Sequence, residues 1–394
     1  MAKRIDHASR AHALLSASGA ELWLHCPASA LACEQYPNEG SVYTQEGTIA
    51  HEVAQAYAVA ARDKAGHSEL DAEMQRLRAK WDGAITGEML ECAEAYAAYI
   101  QEHVTGESDT VLLEQRLDFS PWVPDGFGTG DCIIIGPGTI TVIDYKYGQG
   151  VAVSSEGNPQ MMLYALGAIN DYGCIYDFDT VRMSIYQPRI NNVSEAVMSV
   201  EELLAWAEGV VTPAAKAAYS GEAEYHAGAW CRKFCRHAGR CPTLTQYCCD
   251  FVQSHGLRAP VPHLTDDQYQ EIVRMEPLIK MWLDRTTKAA IDQILGGTPI
   301  AGLKVVEGRS LRKWSDEDKV LDILTTEPIG VSAEALYEPA TLKSVAALEK
   351  TLGRKKVAEL VGDLITKTPG RPTLAPTEDK RPDFDPGADF NTLD

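Results

Sequence analysis

The chain has 394 residues, 45% hydrophobic and 23% charged, a composition that excludes a disordered or fibrous protein and allows a sizeable core. Its net charge of −20 excludes coating of nucleic acid by bulk positive charge, but not an enzyme with a local basic channel beside an acidic, metal-holding pocket. No apolar run approaches the ~20 residues of a membrane span, and the N-terminus shows neither a continuous apolar stretch nor a cleavage site. No membrane partner is expected, and the cytoplasm is the expected location.

Residues 14–36 read as a helical start broken at Pro27. From Gly47, TIAHEVAQAYAVAARDK has helical periodicity, and 88–104 form a second amphipathic helix. The pattern then changes to short β-rich runs, TVLLEQRLDF, GTGDCIIIG and TITVIDYKY, with Gly136-Pro137-Gly138 as a tight strand connection. A helix at about 156–171, a strand in TVRMSIYQPRI and a helix in EELLAWAEGVVTPAAKAAYS follow. Helix, three strands, helix, strand, helix implies an α/β fold around a mixed central sheet flanked by helices. Pro260 and Pro262 mark a boundary, after which Thr265 caps a helix over DDQYQEIVRMEPLIKMWLDR, with two further helix starts at Ser315 and Thr341. The last residues are Pro-rich, polar and acidic, an extended tail. The expected division is 1–255, then a mainly helical 256–366, then the tail 367–394.

The first chemical motif is Asp131, followed thirteen residues later by Asp144-Tyr145-Lys146. Each aspartate borders an apolar strand, and a hairpin joins the strands, so the carboxylates can converge as oxygen ligands for a hard divalent ion. Lys146 is two residues past Asp144 and shares its strand face, where an ammonium can orient water or stabilise charge on a phosphate. Standing alone, a turn aspartate and an edge charge beside a solvated lysine give the same pattern. Gln160 and Tyr164, spaced i and i+4 on the next helix, share one face and can touch a phosphate or sugar without charge, or form a plain polar stripe. His51, four residues after Gly47, can complete a metal shell as neutral imidazole or serve a structural role.

Taken in order, G-x-x-x-H, G-x-G-D, D-Y-K and Q-x-x-x-Y resemble the RecB-type branch of the PD-(D/E)XK nucleases. That branch includes nuclease domains of bacterial recombination helicase–nucleases and the CRISPR adaptation exonucleases. The resemblance covers about residues 15–250 and implies a PD-(D/E)XK, restriction endonuclease-like core. It implies that His51, Asp131, Asp144 and the Tyr145 carbonyl bind Mg²⁺ or Mn²⁺, that Lys146 is catalytic, and that Gln160 and Tyr164 position the scissile strand. Glu114, on the strand before Asp131, is either an additional acid of the kind some relatives carry or a surface charge.

Ten cysteines in a reducing compartment are not expected to form disulfides. Cys33, Cys92, Cys132, Cys174, Cys248 and Cys249 read as scattered thiols. Cys26 stands far upstream of Cys231, Cys235 and Cys241, a set that can hold zinc or an iron–sulfur cluster. One distant cysteine with a cluster of three resembles the [4Fe–4S] staple of RecB-type nucleases, which ties the two ends of that domain together. Three residues rather than two separate the first clustered pair, which departs from many relatives and leaves Zn²⁺ as the alternative. Arg232, Lys233, Arg236 and Arg240 make this stretch basic, for phosphate contact or to offset the cluster's own charge.

Beyond the core, GLKVVEGRSLRKW, LEKTLGRKK and TKTPGRPTLAPTEDKRP resemble a narrower family of phage and prophage proteins encoded near recombination functions. The resemblance implies a metal-dependent DNA exonuclease that resects ends for a phage single-strand annealing or single-strand-binding partner. Two other readings stay open: a non-catalytic DNA-binding or scaffold protein that keeps the fold, and a sequence-specific endonuclease.

Overall fold

The computed structural model describes residues 13–37, 42–64, 67–256, 265–305, 349, 353–361 and 364. The helix starts expected at Ser315 and Thr341 and the Pro-rich tail lie outside the described residues.

Among the described residues, five strands form one mixed sheet in the order β1 (Thr110–Asp118), β2 (Phe127–Gly136), β3 (Gly138–Tyr145), β4 (Phe178–Gln187) and β5 (Asn192–Ser199). Neighbours run antiparallel except β3 and β4, which are parallel. A parallel pair requires a crossover, and α6 (Pro159–Tyr172) supplies it. Its start is set by Asn158, whose side chain accepts from the Gln160 and Met161 amides, with Pro159 at the first helical position.

β3 lies at the centre of the sheet, and Ile140–Tyr145 is buried without interruption, as a strand covered on both faces requires. On one face Ile133, Ile135, Ile140 and Val142 pack with Met161, Leu163 and Leu166 of α6. There Gly167 lets the helix close on β1, since an added Cβ would lie 2.8 Å from Leu117 Cβ. On the other face Cys132, Ile134, Ile143 and Tyr145 pack under α3 (Val42–Arg62), α4 (His67–Trp81) and α5 (Gly87–Glu102). The period-2 alternation of β2 and β3 thus divides their side chains between two cores.

Three elements differ from the sequence expectation. β5 is an edge strand in which exposed Val193, Glu195 and Val197 alternate with half-buried Ser194, Ala196 and Met198, so its apolar residues fall on both faces and leave little apolar pattern. α4 is mostly polar and anchors through Met74 and Leu77. The helix expected over EELLAWAEGVVTPAAKAAYS divides into α7 (Val200–Trp206) and α8 (Thr212–Ser220) around a π-helical turn at Ala207–Val211, and Thr212-Pro213 starts the second part. The break at Pro27 separates α1 (Ala20–His25) from α2 (Ser29–Glu34).

A third core lies away from the sheet. Leu22, Cys33, Cys231, Cys235, Ala238, Cys241, Leu244, Cys248 and Leu278 pack together, joining the N-terminal helices, the cysteine segment, α9 (Pro242–Gly256) and α10 (Asp266–Leu295). α10 opens on a capping box between Thr265 and Gln268 and runs on through Pro277. The short α11 (Arg354–Val361) docks on α5, where the Glu91 carboxylate accepts from the Arg354 amide at 2.9 Å and from the Lys355 amide.

Candidate active site

β2 and β3 pair as far as Cys132 and Ile143, and the next residues on each strand are Asp131 and Asp144. Here the strands part, and the Tyr145 amide donates to Asp131 Oδ2 at 2.7 Å instead of to a backbone carbonyl. On its other side β3 stays joined to β4, with the Lys146 amide donating to the Tyr186 carbonyl at 2.9 Å. The fork therefore holds both carboxylates at one end of the central strand.

Two clusters meet at this fork. In the first, α3 brings His51 Nδ1 to 3.6 Å from Asp131 Oδ1, and Glu114 of β1 joins them. One ligand atom from each of His51, Glu114 and Asp131 lies within 4.8 Å of the others. The β1–β2 ladder runs from Leu113–Cys132 to Gln115–Gly130 and passes over Glu114 and Asp131. Glu114 also adopts a φ of +49°, a left-handed conformation costly for a residue with a Cβ in a strand. That backbone irregularity sits where the three ligand atoms converge.

In the second cluster, Lys146 Nζ lies 2.8 Å from Asp144 Oδ2. Gln160 joins the pair: its Nε2 donates to Asp144 Oδ1 at 3.1 Å, and its Oε1 accepts from Lys146 at 3.3 Å. The same Nε2 lies 3.3 Å from the Tyr164 hydroxyl. The structure thus brings Asp144, Lys146, Gln160 and Tyr164 together. It also brings together His51, Asp131 and Glu114, and it links the two groups through the Tyr145 amide. The G-x-G-D motif gains a steric reason, because a Cβ on Gly128 would sit 2.7 Å from the Tyr164 ring. Tyr145 itself is buried, its ring edge-on to His51 at 5.3 Å and against Tyr96 at 4.8 Å.

Electrostatics push the two aspartates apart. Burial would raise Asp131, but His51, Lys146 and the Tyr145 amide outweigh it and hold its pKa below the usual value. Burial raises Asp144, with Lys146 only partly opposing and Asp131 adding to the rise. Burial would lower Lys146, yet the Asp144 and Asp131 carboxylates raise it, so its ammonium persists. His51 behaves alike: burial opposes the charged form and Asp131 more than restores it. Burial, then the Asp131 charge, pushes Glu114 up to about 7.

A divalent cation fits this donor set. Among the described residues, Asp144 Oδ2 is buried and is faced by the Lys146 ammonium alone. His51, Glu114 and Asp131 present nitrogen and oxygen at mutual distances suited to one ion, and like charges this close are eased by a cation. Glu114 was legible in the sequence as an acid on the right strand, but its convergence with His51 depends on the packing of α3 over β1.

The four cysteines also meet. Cys26, Cys231, Cys235 and Cys241 are all buried, the last three in the third core. Backbone amides face the sulfurs: His226 donates to Cys26 Sγ and Leu244 to Cys241 Sγ, each at 3.4 Å. Burial pushes the Cys26 and Cys231 thiols up, and neighbouring backbone amides offset this only in part. Cys33, which reads in the sequence as a scattered thiol, packs in the same core as Cys235 and lines the same cleft.

The basic residues of this segment are engaged. Lys233 pairs with Glu21 at 2.8 Å, Arg236 donates to the Tyr36 carbonyl at 2.7 Å, and Arg240 lies over the Tyr36 ring. Arg285 of α10 donates to the carbonyls of Cys231, Arg232 and Cys235. Arg232 is exposed.

The fold and site define a mixed α/β protein with a helix-flanked five-stranded sheet and an acidic, histidine-containing cluster at a strand fork. The chain belongs to the family described as Protein of unknown function (DUF2800), whose family model matches residues 12–382. No helix among the described residues is long and apolar enough to cross a membrane.

Proposed function

We propose that the chain is a Mg²⁺- or Mn²⁺-dependent deoxyribonuclease with a PD-(D/E)XK core of the RecB type, acting on DNA ends. The observation that carries this reading is the fork itself: Asp131 and Asp144 leave adjacent strands, with Lys146 2.8 Å from Asp144 and His51 3.6 Å from Asp131. His51, Glu114, Asp131 and Asp144 would hold the ion, and the Tyr145 carbonyl completes the set that the resemblance implies. When bound, a divalent cation lowers the pKa of water and offsets charge on the phosphate.

The chain's own residues supply the rest. Lys146 stays protonated, so it stabilises phosphate charge or orients water as a donor rather than accepting a proton. Gln160 holds Lys146 and Asp144 in one geometry through contacts to both. Burial pushes Tyr164 upward, so its hydroxyl stays neutral and can donate to a phosphate or sugar oxygen. In the same reading Cys26, Cys231, Cys235 and Cys241 carry a [4Fe–4S] cluster, with Zn²⁺ as the alternative. A phage single-strand annealing or single-strand-binding protein receives the resected end.

The test is digestion of end-labelled linear duplex and of closed circular plasmid by anaerobically purified protein with Mg²⁺ or Mn²⁺. Progressive loss of linear ends is expected. Discrete fragments from the circle identify a sequence-specific endonuclease instead, and binding without cleavage identifies a scaffold protein. Iron and acid-labile sulfide analysis separates the cluster from zinc.

A further inference from the structure

A cleft of about 750 Å³ opens beside the cysteine segment, between the N-terminal helices and α10. Clefts of this size commonly take ligands. None of the residues that line it belongs to the strand fork. Its walls carry five cations, Lys233, Arg236, Arg240, Arg285 and Lys288, against two acids, Glu34 and Asp292. In the chain as a whole the balance is opposite, with 56 Asp and Glu against 36 Lys and Arg. A concave surface lined by one sign of charge gathers ions of the other sign.

The contacts of these cations fix their places and leave a positive excess. Lys233 pairs with Glu21 at 2.8 Å, and Arg236 stands 3.8 Å from Glu34. Counting Glu21, cations still lead five to three. Arg285 and Arg240 are held by neutral groups. Arg285 donates to the Arg232 carbonyl at 3.0 Å and to the Cys231 carbonyl at 3.4 Å. Arg240 donates to the Ala289 carbonyl at 3.3 Å and lies over the Tyr36 ring. A carbonyl or a ring orients a guanidinium without neutralising it, so its charge remains for a phosphate.

Phe234 adds an aromatic face. It follows Lys233 on the wall of the cleft and is 59% exposed. From the N-terminal side Ser16 and Ser18 line the cleft, their hydroxyls 3.4 Å apart. A nucleic-acid strand uses all three kinds of group: the ring stacks a base, and the cations and hydroxyls take phosphate oxygens. A duplex keeps its bases stacked on one another and offers Phe234 no base face, whereas a single strand does.

We propose that this cleft binds a single strand of DNA, with a base stacked on Phe234 and phosphates against Lys233, Arg236 and Arg240. The choice of DNA rests on the deoxyribonuclease reading above, in which a resected end supplies such a strand.

The test is fluorescence anisotropy of labelled oligo(dT), and of a labelled blunt duplex, with the full chain purified anaerobically and with EDTA in place of divalent ions. The wild type is expected to bind oligo(dT) more tightly than the duplex, and less tightly as salt rises. Phe234→Ala is expected to lose about tenfold in affinity for oligo(dT), within the range for removing one stacking ring, and Phe234→Trp to keep the wild-type affinity. Lys233→Ala should lower the slope of log affinity against log salt by about 0.7, the share of one phosphate contact on a single strand. Both side chains are exposed, and circular dichroism checks that each variant is folded. If the wild type does not bind oligo(dT), or if Phe234→Ala binds it as tightly as the wild type, the cleft assignment is overturned. A preference for the duplex overturns the single-strand assignment. Phe234-dependent binding in a protein that cleaves nothing with Mg²⁺ or Mn²⁺ overturns the nuclease reading and leaves this one standing. Cleavage together with binding that ignores Phe234 does the reverse.

Discussion

The Tyr145 amide donates a 2.7 Å hydrogen bond to the Asp131 carboxylate, so a side chain of β2 is fastened to the backbone of β3 where the two strands stop pairing. One carboxylate oxygen is fixed by this bond, and the other faces His51. The bond orients Asp131 and ties its cluster to that of Asp144 and Lys146.

Asp131→Asn separates charge from shape. The amide oxygen can still accept from Tyr145, but an NH₂ group then faces His51 and Glu114. Thermal unfolding without divalent ions should stay close to wild type, while the rise in melting temperature on adding Mn²⁺ disappears. Cleavage should fall by about 10²–10³-fold or more, the range for losing one organised electrostatic group. Wild-type digestion rates in this variant would remove Asp131 from the site.

Lys146→Ala leaves the Asp144 carboxylate buried without its ammonium, and Gln160 remains as its hydrogen-bond donor. A stability loss of about 1–3 kcal/mol is expected, the cost of leaving a buried polar group without its partner. Cleavage should be abolished in the folded variant. Urea unfolding at pH 7 and the digestion assay measure the two effects separately.

Glu114 gives the metal-free protein a pH dependence of definite sign. Its folded pKa, raised to about 7 by burial and by Asp131, exceeds the unfolded value of 4.5. Between these pH values the folded state binds more protons than the unfolded state, so stability falls as pH rises from about 4.5 to about 7 and does not recover above. Glu114→Gln removes this dependence. Without divalent ions the variant should melt above wild type at pH 8 by a larger margin than at pH 5. Mn²⁺ should narrow the gap at pH 8 by stabilising only the wild type. Equal margins at both pH values would refute the assignment.

Gly128→Ala places a methyl group 2.7 Å from the Tyr164 ring, too close for both to keep their positions. The ring must move and its hydroxyl must leave the Gln160 contact. A fall in cleavage of about tenfold is expected, with overpacking costing about 1–3 kcal/mol of stability. Tyr164→Phe removes only the hydroxyl and should reproduce the activity loss with a smaller change in melting temperature. If Tyr164→Phe keeps full activity, the hydroxyl has no role in cleavage.

By itself, the sequence determined the elements with strong apolar period and the order of the polar residues that end them. The apolar runs at Ile133–Ile135 and Ile140–Ile143 read as buried strands joined at Gly136-Pro137-Gly138, so Asp131 and Asp144 could converge, and the pairing of β2 and β3 brings them together. The i, i+4 spacing of Gln160 and Tyr164 likewise put both on one helix face. β5 and α4 were not legible, because half-exposed elements carry too little apolar pattern to stand out. Tertiary structure alone decided which groups converge. Glu114 meets His51 because α3 packs over β1, and no sequence spacing encodes the left-handed turn of its backbone. Cys33 meets Cys235 because the N-terminal helices, the cysteine segment and α10 share one core. Local periodicity records which way a residue faces, whereas contacts between residues far apart in sequence arise only when whole faces pack.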